Sequence, residues 1–264
     1  MHRRPGSILL LLFPLLAGCG EVSDKSATIT DPSAPATITA LFGGTLQEDG
    51  QRVIRDPSPE EAQGLGAQPG DRLETVHFKT LTIEGGPTLV FHATYLYSNG
   101  MRQECRACTM TLSASAFAQQ ADGTWKREVF KPRFADVSAA YEVLPVKAIP
   151  IGNRRWLLEH ESCFCGAGGD CMCDKTWYAL EADPGWLVPL LSDSYHYSHE
   201  DDKNVYGEEL ELNALDAKGN YPDVEIKHSF TVSPMARKAR ASTRVEKTRY
   251  RYDPGQKKYT AVNP

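Results

Sequence analysis

Six of the seven cysteines fall into two tight groups whose spacing could do chemistry. Cys163-Phe164-Cys165-Gly166-Ala167-Gly168-Gly169-Asp170-Cys171-Met172-Cys173 places four thiols symmetrically about a glycine-rich centre, and Cys105-Arg106-Ala107-Cys108 supplies two more. Residues two apart on an extended strand face the same side, so Cys163 pairs in direction with Cys165, and Cys171 with Cys173. If 166–170 closes a hairpin, Cys165 meets Cys171 and Cys163 meets Cys173. Opposed α-carbons then lie about 4.5 or 5.5 Å apart, within disulfide range. Cys105 and Cys108 are left for one another, with cross-pairing between the two loops as the second arrangement. Four thiolates could instead hold zinc, and a Cys-x-Cys pair a soft ion such as Cu(I). Zinc sites more often use a two-residue gap within each pair, however. A redox centre at Cys105 and Cys108 is disfavoured, because low-pKa thiols of that kind sit at helix starts and Thr109-Met110-Thr111-Leu112 reads as a strand.

Other candidates are weaker. Tyr195-His196-Tyr197-Ser198-His199-Glu200-Asp201-Asp202 concentrates metal-ligating side chains, but an exposed polar loop has this composition routinely. His77, His92 and His160 lie in strand-like stretches and are expected to be satisfied sheet residues. Arg237, Lys238, Arg240, Arg244, Lys247, Arg249 and Arg251 form a basic stretch that could meet anionic lipid or glycan. Its preferred reading is a solvated strand face with an exposed loop. There is no Gly-x-Ser-x-Gly elbow, no His-Glu-x-x-His, no phosphate-binding glycine loop and no dinucleotide fingerprint. No catalytic residue, metal or cofactor is therefore assigned.

The amino terminus decides the cysteine chemistry. His2, Arg3 and Arg4 head an apolar run from Ile8 to Leu16 that is too short to span a membrane, which takes about 20 apolar residues. It ends in Leu16-Ala17-Gly18-Cys19, which resembles the lipobox of bacterial lipoproteins. The resemblance implies cleavage before Cys19 and acylation of that cysteine, which ties the chain to a lipid bilayer. Gly20 stands where inner-membrane lipoproteins usually carry Asp, so the resemblance points to the outer membrane, on its periplasmic face. An exported chain meets an oxidising compartment, where disulfides are the default, and this favours the staple reading over metal. Loss of residues 1–18 removes Arg3 and Arg4 and no acid, moving the net charge from -5 to -7. A mildly acidic surface argues against nucleic acid as a partner.

The remaining chain must position these groups. Residues 19–39 read as the lipidated cysteine and a flexible spacer, and 40–72 as an irregular lead-in. Within the lead-in lie one strand at Arg52-Val53-Ile54 and a helix start at Ser58-Pro59-Glu60-Glu61 that ends near Gly64. From Leu73 the period is two: Thr75 to Ile83 alternates, and Thr88 to Tyr97 is dense in β-branched and aromatic residues. Residues 73–264 are therefore expected to be all-β.

A unit of strand, long loop, strand, Asp/Gly turn, aromatic and strand recurs. It runs from Leu89 through Asp122-Gly123-Thr124-Trp125, and again from Trp156 through Asp183-Pro184-Gly185-Trp186. A third, weaker copy joins Glu209–Leu215 to Arg244–Tyr252, Asp253-Pro254-Gly255 and Tyr259. Such antiparallel β-meander units are expected to stack as an open or incomplete propeller-like sheet or a β-sandwich. Trp125, Trp186 and Tyr259 are expected to fill the core.

These features together suggest an outer-membrane-anchored, non-catalytic binding or structural module of the cell envelope, its partner an envelope protein or glycan. A metal-binding protein using the Cys163–Cys173 cluster is the alternative, and an envelope hydrolase a further one.

Overall fold

The computed structural model describes residues 28–32, 35–104, 108–138, 146–152, 155–165, 171–180, 187–200, 203–215, 221–235 and 240–262. These residues form antiparallel β-structure with two short helices. Their strands assemble into two open sheets.

The first sheet contains β1 (Thr28–Ile29), β2 (Thr45–Leu46), β3 (Arg52–Arg55), β4 (Arg72–Thr82), β5 (Thr88–Ser98), β6 (Met101–Arg102), β7 (Thr109–Gln119) and β8 (Trp125–Ser138). Its order is β1-β8-β7-β5-β4-β3-β2, with β6 folded back on β5. Asn99 and Gly100, at φ 53° and 78°, make the β5–β6 turn, where two consecutive positive-φ residues match the twist of a two-residue hairpin. The second sheet is a pure meander of β9 (Lys147–Gly152), β10 (Arg155–Cys165), β11 (Cys171–Ala179), β12 (Val188–Glu200), β13 (Asn204–Ala214), β14 (Val224–Pro234), β15 (Ser242–Asp253) and β16 (Lys258–Ala261).

The folded region begins earlier than the composition of residues 19–39 suggests. Thr28 and Ile29 pair with Lys126 and Trp125, and α1 (Pro35–Phe42) covers the first sheet. Ile38 and Leu41, one helical turn apart, are buried against it. A single turn of apolar residues is enough to dock a helix that composition alone assigns to a spacer. Within residues 40–72 the expected strand at Arg52-Val53-Ile54 is present as β3, and it lies in the first sheet between β2 and β4. The expected second helix is present as α2 (Pro59–Leu65), with a reciprocal capping box between Ser58 and Glu61. It ends at Gly66 (φ 68°), one turn-closing glycine later than expected.

The repeat reading needs one correction. The first two copies are meanders, β5-β7-β8 and β10-β11-β12. In the third, β13 pairs with β14, which occupies the supposed long connection, so the matching meander is β14-β15-β16. The units do not form separate blades, because the second and third continue within one sheet. In the third turn the positive φ belongs to Lys257 (52°), while Gly255 donates its N–H to the Asp253 carboxylate at 2.8 Å.

Three cores hold the layers together. Phe91, Leu112 and Phe134 of the first sheet pack on Leu158, Tyr178 and Leu187 of the second. On the opposite face of the first sheet, Leu41 of α1 meets Val90 and Phe117, with Trp125 against them. The second sheet curls on itself, bringing Leu157, Trp177 and Leu191 against Leu210, Val224 and Tyr259. β16 lies across β12 and β13 across β9 without edge pairing. At their core ends, around Leu157, Leu158, Tyr178 and Ala179, β10 and β11 are thus buried on both faces, which accounts for the near-continuous apolar character of Trp156-Leu157-Leu158.

Candidate functional site

The inner face of β10 and β11 carries four successive rungs of different chemistry. Strand alternation puts Leu157, Glu159, Glu161 and Cys163 on this face, and the register sets them opposite Ala179, Trp177, Lys175 and Cys173. From core to tip the rungs are apolar, carboxylate–indole, carboxylate–ammonium and cystine.

Glu159 is 2 % exposed yet well partnered. Trp177 donates Nε1–H to its Oε2 at 2.8 Å, and Lys147 Nζ lies 3.0 Å from Oε1. Lys175, 6 % exposed, donates to the Leu210 carbonyl at 2.7 Å and stands 3.9 Å from Glu159 and 3.7 Å from Glu161. Its Nζ also sits 5.5 Å from the Tyr195 ring centre. Burial pushes the Glu161 carboxyl above its ordinary value, and the facing Lys175 only partly offsets this.

Glu161 and Lys175 open onto a cleft of about 360 Å³ whose other walls include Tyr195, Tyr197, Glu208 and Thr231. Glu208 accepts from His228 Nε2 at 2.9 Å and from the His196 N–H at 3.1 Å. A second cavity of about 360 Å³ lies on the helix-covered side of the first sheet, between Leu41, Phe42, Arg55, Leu65, Phe130 and Arg133.

Cys163 and Cys173 are joined by a disulfide with α-carbons 4.0 Å apart. The bonded sulfurs offer no thiolates, so zinc binding by all four cysteines is incompatible with this state. Cys165 and Cys171 are directly opposed in the same ladder, as the hairpin reading expects. Cys171 and Cys108 are each in a disulfide. Cys105 and the 166–170 turn lie outside the described residues, as do Cys19 and the lipobox. On the outer face of the tip, Phe164 and Met172 are opposed and exposed, beside the exposed His196.

Other expected sites resolve differently. Tyr195 to Glu200 belong to β12 and not to a loop, while Asp201 and Asp202 lie outside the described residues. His196 joins no metal-ligand cluster among the described residues. The histidines expected to be satisfied are divided. His77 Nε2 is 2.9 Å from the Thr80 hydroxyl, whereas His92 has both ring nitrogens without a partner and His160 has Nε2 so. His92 packs edge-on against Phe42 and His77, and His160 against Phe134. Burial lowers their pKa values to about 3 and about 4. An apolar helix on one side and the inter-sheet core on the other leave these mid-strand rings no acceptor.

Tyr259 fills the core as expected, donating to the Pro222 carbonyl at 2.9 Å. Trp125 packs beneath α1, and Trp186 lies outside the described residues. The basic stretch is a solvated strand face, but a partly neutralised one. Arg249 and Arg251 share Asp223, and Lys247 pairs with Glu225. Arg237 and Lys238 are outside the described residues.

The sequence did hold a signal for the Glu159–Glu161–Lys175 cluster. Glu159, Glu161 and Cys163 recur at a spacing of two, in phase with Leu157, which places charge on a core-facing side. No protein-family model, curated protein or solved structure matches the chain.

Proposed function

We propose that the chain is a lipid-anchored, non-catalytic binding module of a bacterial cell envelope, held at the periplasmic face of the outer membrane through acylated Cys19. The observation that carries this reading is the Cys163–Cys173 disulfide in a chain whose leader ends in a lipobox. A cystine at the edge of a packed core belongs to an oxidising compartment, which is where a lipobox sends a protein. Among the described residues no helix is long and apolar enough to cross a membrane, which fits attachment by acyl chains. The binding surface is the stapled tip, with Phe164 and Met172 exposed on its outer face and the exposed Tyr197 lining the acidic cleft on the other. Its partner is another envelope component.

Metabolic labelling with palmitate, followed by density-gradient separation of the two membranes, tests the anchor. Wild type is expected to take up label and sediment with the outer membrane, and Cys19→Ala to do neither. A Cys19→Ala protein that fractionates like wild type would overturn the anchor. Photo-crosslinking from position 164 in intact envelopes tests the surface. A discrete adduct that a Met172→Glu change abolishes is expected, and adduct formation indifferent to that change would remove the tip as the contact.

A further inference from the structure

We propose that the Cys163–Cys173 bridge is the closed, oxidised form of a divalent-metal site, which a dithiol opens and Glu161 completes. The one metal-ligand cluster among the described residues consists of Glu161, Cys163 and Cys173, whose donor atoms all lie within 4.8 Å of one another. The edges of a zinc tetrahedron built from bonds of about 2.0–2.3 Å are about 3.3–3.8 Å, within reach of side-chain rotation from this spacing. Cross-strand pairing holds the two cysteines on one rung, and the spacing of two puts Glu161 on the same face. Little backbone movement is therefore needed to bring the three donors around one ion.

Glu161 has an acceptor to spare. Its nearest cation, Lys175, stands 3.7 Å away, beyond hydrogen-bond length, and Lys175 already donates to the Leu210 carbonyl. Glu159 next along is neutralised separately by Lys147 and Trp177.

The charge balance selects the ligand. Reduction transfers two electrons from the dithiol to the bridge, giving two thiols here and a disulfide on the reductant. Binding of the metal then releases the two thiol protons to solvent. Two thiolates and one carboxylate leave three negative charges facing the single positive charge of Lys175. A divalent ion brings the cluster to neutrality, and a monovalent one does not. Two sulfur donors and one oxygen donor match zinc with a fourth position left open toward the cleft. Cys163 is partly exposed while Cys173 is buried, so an incoming thiolate reaches Cys163 first and Cys173 leaves.

The test uses the full-length protein in detergent with Cys105, Cys108, Cys165 and Cys171 changed to serine, titrated with Co²⁺ before and after dithiol reduction. The reduced protein is expected to bind one Co²⁺ with thiolate-to-cobalt charge-transfer absorption and tetrahedral visible bands, and the oxidised protein none. Glu161→Gln is expected to weaken binding at least tenfold, and Cys163→Ser to abolish the charge-transfer signature. No uptake after reduction, or equal affinity in Glu161→Gln, would overturn the proposal. Should the quadruple variant fail to fold, reduced wild type and its Cys163→Ser/Cys173→Ser variant take its place, and uptake surviving that change is likewise decisive against it. None of these outcomes depends on lipidation or location, so failure leaves the anchored-module reading untouched.

Discussion

The histidines under α1 and between the sheets, and the charges inside the curl of the second sheet, are buried in opposite ways. Under α1 the first sheet encloses His92, neutral and with no partner on either nitrogen. Inside its curl, the second sheet encloses charges, Glu159 and Lys175, each with a partner within hydrogen-bond reach. An imidazole escapes the cost of burial by giving up its proton, because its ordinary pKa lies near neutrality. The Glu159 carboxylate is instead compensated by two ammonium groups and an indole N–H. The histidine sites should therefore respond to pH and the curl to loss of a partner.

Acidification should produce the largest effect. The unfolded state takes up protons on His92 and His160 near pH 6.5, while the folded state resists until about pH 3 and about pH 4. Stability is therefore full above pH 6.5 and declines as pH falls toward those folded values. At pH 4.5 each histidine should cost about 2–3 kcal/mol, by 1.36 kcal/mol per pKa unit. Urea melts at pH 7.5 and 4.5 check this. His92→Leu should flatten the decline and leave pH 7.5 stability equal or higher, since it removes two unpaired nitrogens. A Leu variant as acid-sensitive as wild type would break the contrast from the histidines' side.

In the second sheet, Glu159→Leu should cost about 3–5 kcal/mol, because it strands Lys175 and the Trp177 N–H in the core. The double change Glu159→Leu/Lys175→Met should recover much of that loss. Equilibrium unfolding of both variants tests the coupling, and strict additivity would show that the charges are not a unit. At the tip, Cys163→Ala/Cys173→Ala opens a link across a sequence separation of 10. The chain-entropy argument puts this at about 2–3 kcal/mol, read as a shift in the urea midpoint.

What was legible in the sequence follows the same division. Period-two alternation in Thr75–Ile83 and the Asp122-Gly123 turn marked strands and hairpins, although β4 is covered on both faces and its burial does not alternate. Pro59 at the first helical position of Ser58-Pro59-Glu60-Glu61 marked a helix start, since its fixed φ suits that position and its missing N–H costs nothing there. The symmetric cysteines specified the Cys163–Cys173 rung, since only one hairpin register opposes them. α1 was missed because Thr37, Ile38 and Leu41 bury within a single turn, too short a stretch to establish a period. β14 was missed because Lys227 to Thr231 is intermediate on both faces and mixes charge with Phe230, so alternation is weak. The Glu159–Lys175 cluster was passed over because carboxylates on a strand ordinarily signal the solvent face, although their phase with Leu157 already turned them inward.

The same sheet carries a control for the buried charges on its outer surface. Asp223 accepts from Arg249 at 2.7 Å and from Arg251 at 3.2 Å, both arginines being more than half exposed. The Arg251 hydrogen bond, with Arg249 behind it, holds the Asp223 carboxyl below its ordinary value. Its contribution is thus present above the unfolded value of 3.8 and lost as pH falls below that and through the lower folded value. Water screens these pairs, so Asp223→Asn should cost under about 1 kcal/mol, shrinking further in molar salt. Glu159→Leu should show almost no salt dependence, because a Debye atmosphere does not enter the core. If the two variants instead lose stability equally and with the same salt slope, burial is not what distinguishes them, and the interior of the second sheet is wetter than its packing indicates.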